Sequence, residues 1–129
     1  NAARLGAAAR LDALRADMHS VPLRPGSCDL VVSNPPYIAD AERNEVTDEV
    51  LLYEPHTALF SPQEGLAHLG AVISQAARIL RPGGLLLLEH GARQGPAVRG
   101  LLSSTSVFNG IITRRDLAGL DRCALARKE

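Results

Sequence analysis

The sequence predicts an α/β domain: an open, mostly parallel sheet with helices on both faces and an antiparallel hairpin at its carboxyl end. Three observations predict it. The apolar, β-branched run Cys28-Asp29-Leu30-Val31-Val32 stops at a pair of prolines. A stretch with helical spacing over 65–80 leads through Arg81-Pro82-Gly83-Gly84 directly into four consecutive leucines. A second helical stretch precedes two short strands joined by Ala118-Gly119-Leu120-Asp121, a turn tight enough for antiparallel pairing. The 129 residues fit one domain, residues 1–129, with enough chain to bury a core.

Taken in order, residues 2–9 are alanine-rich and favour helix, and 11–16 are expected to form a short strand ending at Asp17. Proline and glycine mark 21–27 as a loop, after which 28–32 read as a buried strand that ends at Ser33. Residues 39–56 are polar and acidic with helical spacing only over 45–52, a loop continues through Pro62, and an irregular stretch of that length suits a lid or binding element. Leu66, Leu69, Val72, Ile73, Ala76, Ala77 and Leu80 recur at helical intervals, and the following Arg-Pro-Gly-Gly stops that helix. Leucines 85–88 show no alternation, as expected of a parallel strand covered on both faces. A helix over 94–102 tolerates Pro96 in its first turn, and strands over 107–113 and 122–126 close the chain. Ligands of such sheets bind beyond the carboxyl ends of the strands. Asp17, Asn34 to Tyr37 and Glu89 all fall at such ends, so one crevice is expected to collect them.

Composition excludes several functions. Lys plus Arg total 14 and Asp plus Glu total 14, so the basic stripe of a protein that rides on a nucleic-acid backbone is missing and nucleic acid is not the expected partner. Cys28 and Cys123 lie far apart, in or beside apolar runs and without metal spacing, which reads as two reduced core thiols and a cytoplasmic compartment. The four histidines show no metal-like pairing, so no metal is expected. No apolar run approaches the ~20 residues that span a bilayer, and the opening lacks a leader pattern. The start, Asn1 followed by an alanine-rich run, reads as the latter part of a helix and predicts a fragment.

The segment Asn34-Pro35-Pro36-Tyr37 carries the chemistry. Two prolines remove two backbone donors and fix two φ angles, so the strand ends and the exit is stiff. What the segment offers is acceptors: carbonyls and the Asn34 side-chain oxygen. A rigid pocket of acceptors suits a planar NH2 group, with one proton to Asn34 and one to the Pro35 carbonyl, while Tyr37 covers the flat face. The ordinary readings stand beside this one: a turn at 34–37, a capping aspartate at 17, a loop-closing Glu54, a solvated or ion-paired Arg114-Arg115, and packing or surface histidines at 19, 56, 68 and 90.

Asn-Pro-Pro-Tyr after an apolar strand resembles the signature of S-adenosylmethionine-dependent methyltransferases that modify planar nitrogens. Tyr53-Glu54-Pro55 with Ala58-Leu59, Gly65-Leu66, Arg81-Pro82-Gly83-Gly84, Glu89-His90-Gly91, Gln94 and the run from Asp116 to Arg122 narrow the choice. Together they resemble the HemK/PrmC family, the release factor glutamine methyltransferases, over nearly the whole chain. The resemblance implies a Rossmann-like class I methyltransferase sheet, incomplete at its N-terminus, with S-adenosyl-L-methionine as cofactor and a peptide chain release factor as protein partner. It implies methylation of the amide nitrogen of the glutamine in the Gly-Gly-Gln loop of that partner. It assigns catalysis to Asn34, Pro35, Pro36 and Tyr37, substrate contact to Asn34, Pro35, Tyr37 and Glu54, and cofactor contact to Asp17 and Asn34, with Glu89 in support and no general base. The glycine-rich cofactor loop and the small helical domain of the family have no counterpart in this sequence, so weak or no cofactor binding by the chain alone is expected. The alternatives are an N6-adenine methyltransferase on DNA or RNA, which would share the proline-pair site, and a non-catalytic remnant.

Overall fold

The computed structural model describes residues 1–129, all but the side chain of Glu45. Four strands, β1 (Cys28–Ser33), β2 (Leu80–Glu89), β3 (Phe108–Arg115) and β4 (Asp121–Lys128), form one sheet in the order β1-β2-β4-β3. Three helices accompany it: α1 (Asp48–Tyr53), α2 (Ala67–Ile79) and α3 (Gly95–Ser104). The fold is α/β, as expected, with the closing hairpin antiparallel. Within the sheet, parallel pairing is confined to β1 and β2, because β4 docks on β2 antiparallel. The sheet is therefore mixed rather than mostly parallel.

Helix α2 forms where the sequence places it, since Leu69, Val72, Ile73 and Ala76 align on one face and are all buried. It ends at Ile79 because Pro82 has no N–H to offer the Arg78 carbonyl, which instead accepts from the Gly26 N–H at 3.1 Å. Arg81-Pro82-Gly83-Gly84 is not a turn between elements, as the sequence suggests, but the bulged beginning of β2. Cys28 pairs with Leu80 and Leu30 with Leu85, so the register slips across those residues, with Gly83 taking up a φ of 79°.

The core lies on one side of the sheet only. Leu86 and Leu88 are fully buried against Leu69, Ile73, Val98 and Leu102, which brings α2 and α3 to the same face. The opposite face is bare: Leu30, Val32, Leu85 and Ile112 keep 50%, 67%, 39% and 43% of their surface exposed. Register aligns Val32, Leu87, Leu125 and Ile112 across it in a single row. The expectations of helices on both faces and of doubly covered leucines at 85–88 are thus corrected. A strand turns alternate side chains to opposite faces, and only the even-numbered leucines meet a helix. The same correction applies to β1, an edge strand that is half exposed rather than buried.

Residues 11–16 form no strand, and Leu11 and Leu14 stand 55% and 59% exposed with no strand beside them to pair. The alanine-rich start makes turns and one 3-10 turn, Ala8–Arg10, since Gly6 interrupts it at a φ of 66° and no apolar face packs to offset the cost of nucleating a helix. Residues 17–26 are held along α2 by two side chains. Gln75 bonds both the His19 carbonyl at 3.0 Å and the Val21 N–H at 3.3 Å, and the Arg78 guanidinium donates to the carbonyls of Val21 and Leu23. Among the described residues, no helix is long and apolar enough to cross a membrane.

The one-sided core sets an expectation for stability. Leu88→Ala, which empties a fully buried site, lowers the unfolding free energy by about 2–5 kcal/mol in urea titration. Val32→Ala on the bare face changes it by less than about 1 kcal/mol.

Candidate functional site

The site begins where β1 leaves the sheet. Ser33 is the last paired residue, opposite Leu88, and the next four residues run past the carboxyl end of β2. Pro35 is buried and anchors the turn, whereas Asn34 is exposed. Among the described residues, neither the Asn34 side chain nor the Pro35 carbonyl has a hydrogen-bond partner. Two acceptors on adjacent residues therefore stand open beside a backbone without donors. Both residues line a cavity of about 150 Å³ whose far wall is Ala58 and Leu59.

That far wall is fastened to the near one. The Ile38 N–H donates to the Leu59 carbonyl at 3.0 Å and the Ser61 N–H to the Ile38 carbonyl at 2.9 Å, a single parallel bridge that lays the 56–61 loop against the exit strand. Ser61 is itself buried, and its hydroxyl accepts from the His68 N–H at 3.1 Å, so the loop is tied to the first turn of α2.

Tyr37 closes the remaining side. Its hydroxyl donates to Glu89 Oε1 at 3.1 Å, across the gap between the ends of β1 and β2. Burial pushes the phenol above its ordinary pKa and the Glu89 charge adds to the rise, while Arg122 works against it. Arg122 is held by Asp116, to which Nε and Nη2 both donate at 3.1 Å. Asp116 in turn accepts the N–H groups of Ala118 and Leu120, each at 3.0 Å, in the β3–β4 turn. The N–H of Leu120 first, and then the guanidinium and the Ala118 N–H, keep the Asp116 carboxyl below its ordinary range. On its other side Tyr37 borders a cavity of about 300 Å³, where Arg93 and Glu42 approach to 3.8 Å.

The structure thus brings Asn34, Pro35, Pro36 and Tyr37 together with Glu89, and leaves two expected residues elsewhere. Asp17 sits in an exposed turn, where its carboxylate accepts the His19 N–H at 2.8 Å and faces the His19 ring at 2.9 Å; it lines neither cavity. The single crevice collecting all three strand ends is not formed, because the strand expected before Asp17 is absent. Glu54 caps the end of α1, exposed and away from both cavities. His90 is a packing residue, fully buried with Nδ1 at 2.8 Å from the Gly91 carbonyl. His56 packs edge-on against Phe60, and no cluster among the described residues can hold a metal. Cys28 and Cys123 are free thiols, half-buried rather than in the core, and burial raises the Cys123 pKa. Arg115 pairs with Asp121 at 3.3 Å. Gln94, part of the family resemblance but without a role implied by it, donates from its side chain to the Tyr37 carbonyl at 2.8 Å.

No protein-family model matches the chain. Curated relatives do. It is 46% identical over 129 residues to the release factor glutamine methyltransferase of Nitratidesulfovibrio vulgaris, covering 99% of this chain and 44% of that protein. It is 41% identical over 130 residues to the release factor glutamine methyltransferase of Mycobacterium tuberculosis strain H37Rv, covering 98% and 42%. The chain therefore spans less than half the length of the curated relatives it matches. Among solved structures, a provisionally described S-adenosyl-L-methionine-dependent methyltransferase from Methanococcus maripaludis aligns with a TM-score of 0.54 at 15% identity, covering 98% of this chain and 58% of that one. A possible exported protein from Bordetella parapertussis aligns with a TM-score of 0.53 at 17% identity, covering 88% and 43%. At such identities these two share the fold alone.

The Tyr37–Glu89 contact is open to titration, because the chain has only two tyrosines and no tryptophan. In a Tyr53→Phe background the remaining absorbance change reports Tyr37 ionisation, with its midpoint above the ordinary value of about 10. Glu89→Gln removes the repulsion and brings that midpoint down; a midpoint that stays put means the carboxylate does not face the phenol.

Proposed function

We propose, on the premise that the chain belongs to the family of release factor glutamine methyltransferases, that it forms the amide-binding part of such an enzyme. The reaction is transfer of a methyl group from S-adenosyl-L-methionine to the side-chain amide nitrogen of the glutamine in the Gly-Gly-Gln motif of a peptide chain release factor, in the cytoplasm. The observation that carries this reading is the pair of open acceptors, the Asn34 side-chain oxygen and the Pro35 carbonyl. A primary amide presents two N–H donors in one plane, and two acceptors on a stiff backbone can take both at once. Its nitrogen is then fixed, with the Tyr37 ring against the flat face.

An amide nitrogen is a poor nucleophile, since its lone pair is delocalised into the carbonyl. The cofactor supplies a sulfonium-bound methyl group, already a strong electrophile, so geometry matters more here than acid or base. Correct orientation alone lowers a barrier by about 7–11 kcal/mol in favourable systems. As nitrogen gives up its delocalisation and becomes positive, Asn34 and the Pro35 carbonyl present fixed negative ends of dipoles to it. The cavity at Asn34 fits the amide and is too small for the nucleoside of the cofactor. Ligand pockets for molecules of that class run to about 300–1,000 Å³, against about 150 Å³ at Asn34 and about 300 Å³ on the other side of Tyr37, and Asp17 is engaged with His19.

The test uses labelled S-adenosyl-L-methionine, a bacterial release factor, and this chain both alone and joined to the part of the Nitratidesulfovibrio vulgaris relative that lies outside the match. Label is expected on the release factor from the joined protein, and none once the motif glutamine is replaced by alanine. Asn34→Ala lowers the rate roughly 10²–10³-fold, the effect of removing one preorganised hydrogen-bond partner. Labelling of nucleic acid instead of protein, or full activity in Asn34→Ala, overturns the reading.

A further inference from the structure

We infer that Gln94 is a positioning residue, whose carboxamide, wedged between Gly65 and Gly91, sets the height at which the Asn34-Pro35-Pro36-Tyr37 segment meets its ligand. The reason starts with the prolines. A stretch without N–H groups can be held only through its carbonyls, and the Pro35 carbonyl has to stay open if it is to bind an amide. The Tyr37 carbonyl, two residues on, is the one Gln94 takes, with Nε2 donating at 2.8 Å.

Both donors of the same carboxamide are used. Its second proton goes to the Glu64 carbonyl at 3.1 Å, and Oε1 accepts the Gly91 N–H at 2.9 Å. One side chain thus joins the exit from β1, the turn before α2 and the turn after β2. Although it borders the cavity of about 300 Å³, its donors are committed to protein carbonyls, so its part is to hold the site rather than to bind in it. The slot is shaped for it. A Cβ at Gly65 would lie 2.0 Å from the Tyr37 carbonyl oxygen and 2.4 Å from Gln94 Nε2, and one at Gly91 would lie 3.0 Å from Gln94 Oε1.

Backbone strain points the same way. Gln63 and Glu64 adopt φ of 54° and 56°, a left-handed conformation that is unfavourable for an L residue. Such strain persists where surrounding contacts over-determine it. What the strained turn delivers is the Glu64 carbonyl to the carboxamide and Gly65 to the Tyr37 backbone. With its hydroxyl on Glu89 and its carbonyl on Gln94, Tyr37 is gripped at both ends.

The test is made on the chain labelled with ring-¹³C tyrosine, which gives signals from Tyr37 and Tyr53 alone. Gln94→Met keeps the length and removes both donors; Gln94→Glu keeps an acceptor and turns a carboxylate toward two carbonyls. In each, the Tyr37 signal is expected to move or broaden while that of Tyr53 holds, and the Ile38 amide to exchange with solvent at least tenfold faster. The catalytic consequence rests on the function proposed above: in the joined protein, kcat falls roughly 100-fold, the effect of a misplacement of about 1 Å, with KM for the release factor within threefold of the original. A Tyr37 signal and Ile38 exchange unchanged in both variants overturn the inference, as does an altered signal with kcat intact. If Gln94→Met does not fold, Gln94→Glu decides by the same signals. Should the original protein methylate no release factor, the functional reading falls, and the tyrosine signals still decide the role of Gln94.

Discussion

A polypeptide that leaves a sheet without backbone N–H groups has lost the ordinary means by which loops are fixed. At Pro35 and Pro36 this chain accepts that loss, and much of the surrounding structure follows from it. The exit from β1 is held from outside: a buried Pro35, a bridge from Ile38 to the 56–61 loop, a glutamine on the Tyr37 carbonyl and a glutamate on the Tyr37 hydroxyl. None of these uses the Asn34 side chain or the Pro35 carbonyl. The outcome is a stiff stretch whose Asn34 side chain and Pro35 carbonyl have no hydrogen-bond partner among the described residues. An ordinary loop achieves this poorly, because its own N–H groups compete for such oxygens.

The sheet places the supports where they are needed. Parallel pairing of β1 with β2 puts both carboxyl ends at one edge, so Glu89 arrives beside Tyr37 without a long loop. Antiparallel docking of β4 on β2 then opposes Cys123 to Glu89 and delivers Arg122 and the Asp116 turn to the same end. Reversing either pairing would carry one of these groups to the far end of the strands. The mixed sheet, which departs from the expected pattern, is therefore the arrangement that lets the closing hairpin reach the site.

The parts legible in the sequence are those governed by local periodicity and by proline. Strand β1, helix α2, the hairpin and the 34–37 segment all appear close to their expected bounds, because each is set by residues adjacent in the chain. What is not legible depends on partners distant in sequence. Residues 11–16 have strand-like composition and no neighbour to pair with. Leucines 85–88 read as doubly covered, although only a helix on the second face could make them so. The resemblance gives Asp17 a cofactor role at the end of an expected strand, and in the fold its carboxylate accepts the His19 N–H of its own turn. Gln94 carries no propensity signal at all: its partners Tyr37 and Glu64 lie 57 and 30 residues away, and only the flanking Gly91 hinted at a close approach.

The bare face of the sheet has a consequence for how the chain behaves in bulk. A row of branched side chains open to water favours self-association, and what normally opposes this is mutual charge repulsion. Here the formal net charge is +0 and the isoelectric point is about 7.1, so at neutral pH two molecules meet with no long-range barrier between them. Colloidal stability is therefore lowest near neutrality, and a buffer one to two pH units to either side keeps the chain dispersed at higher concentration.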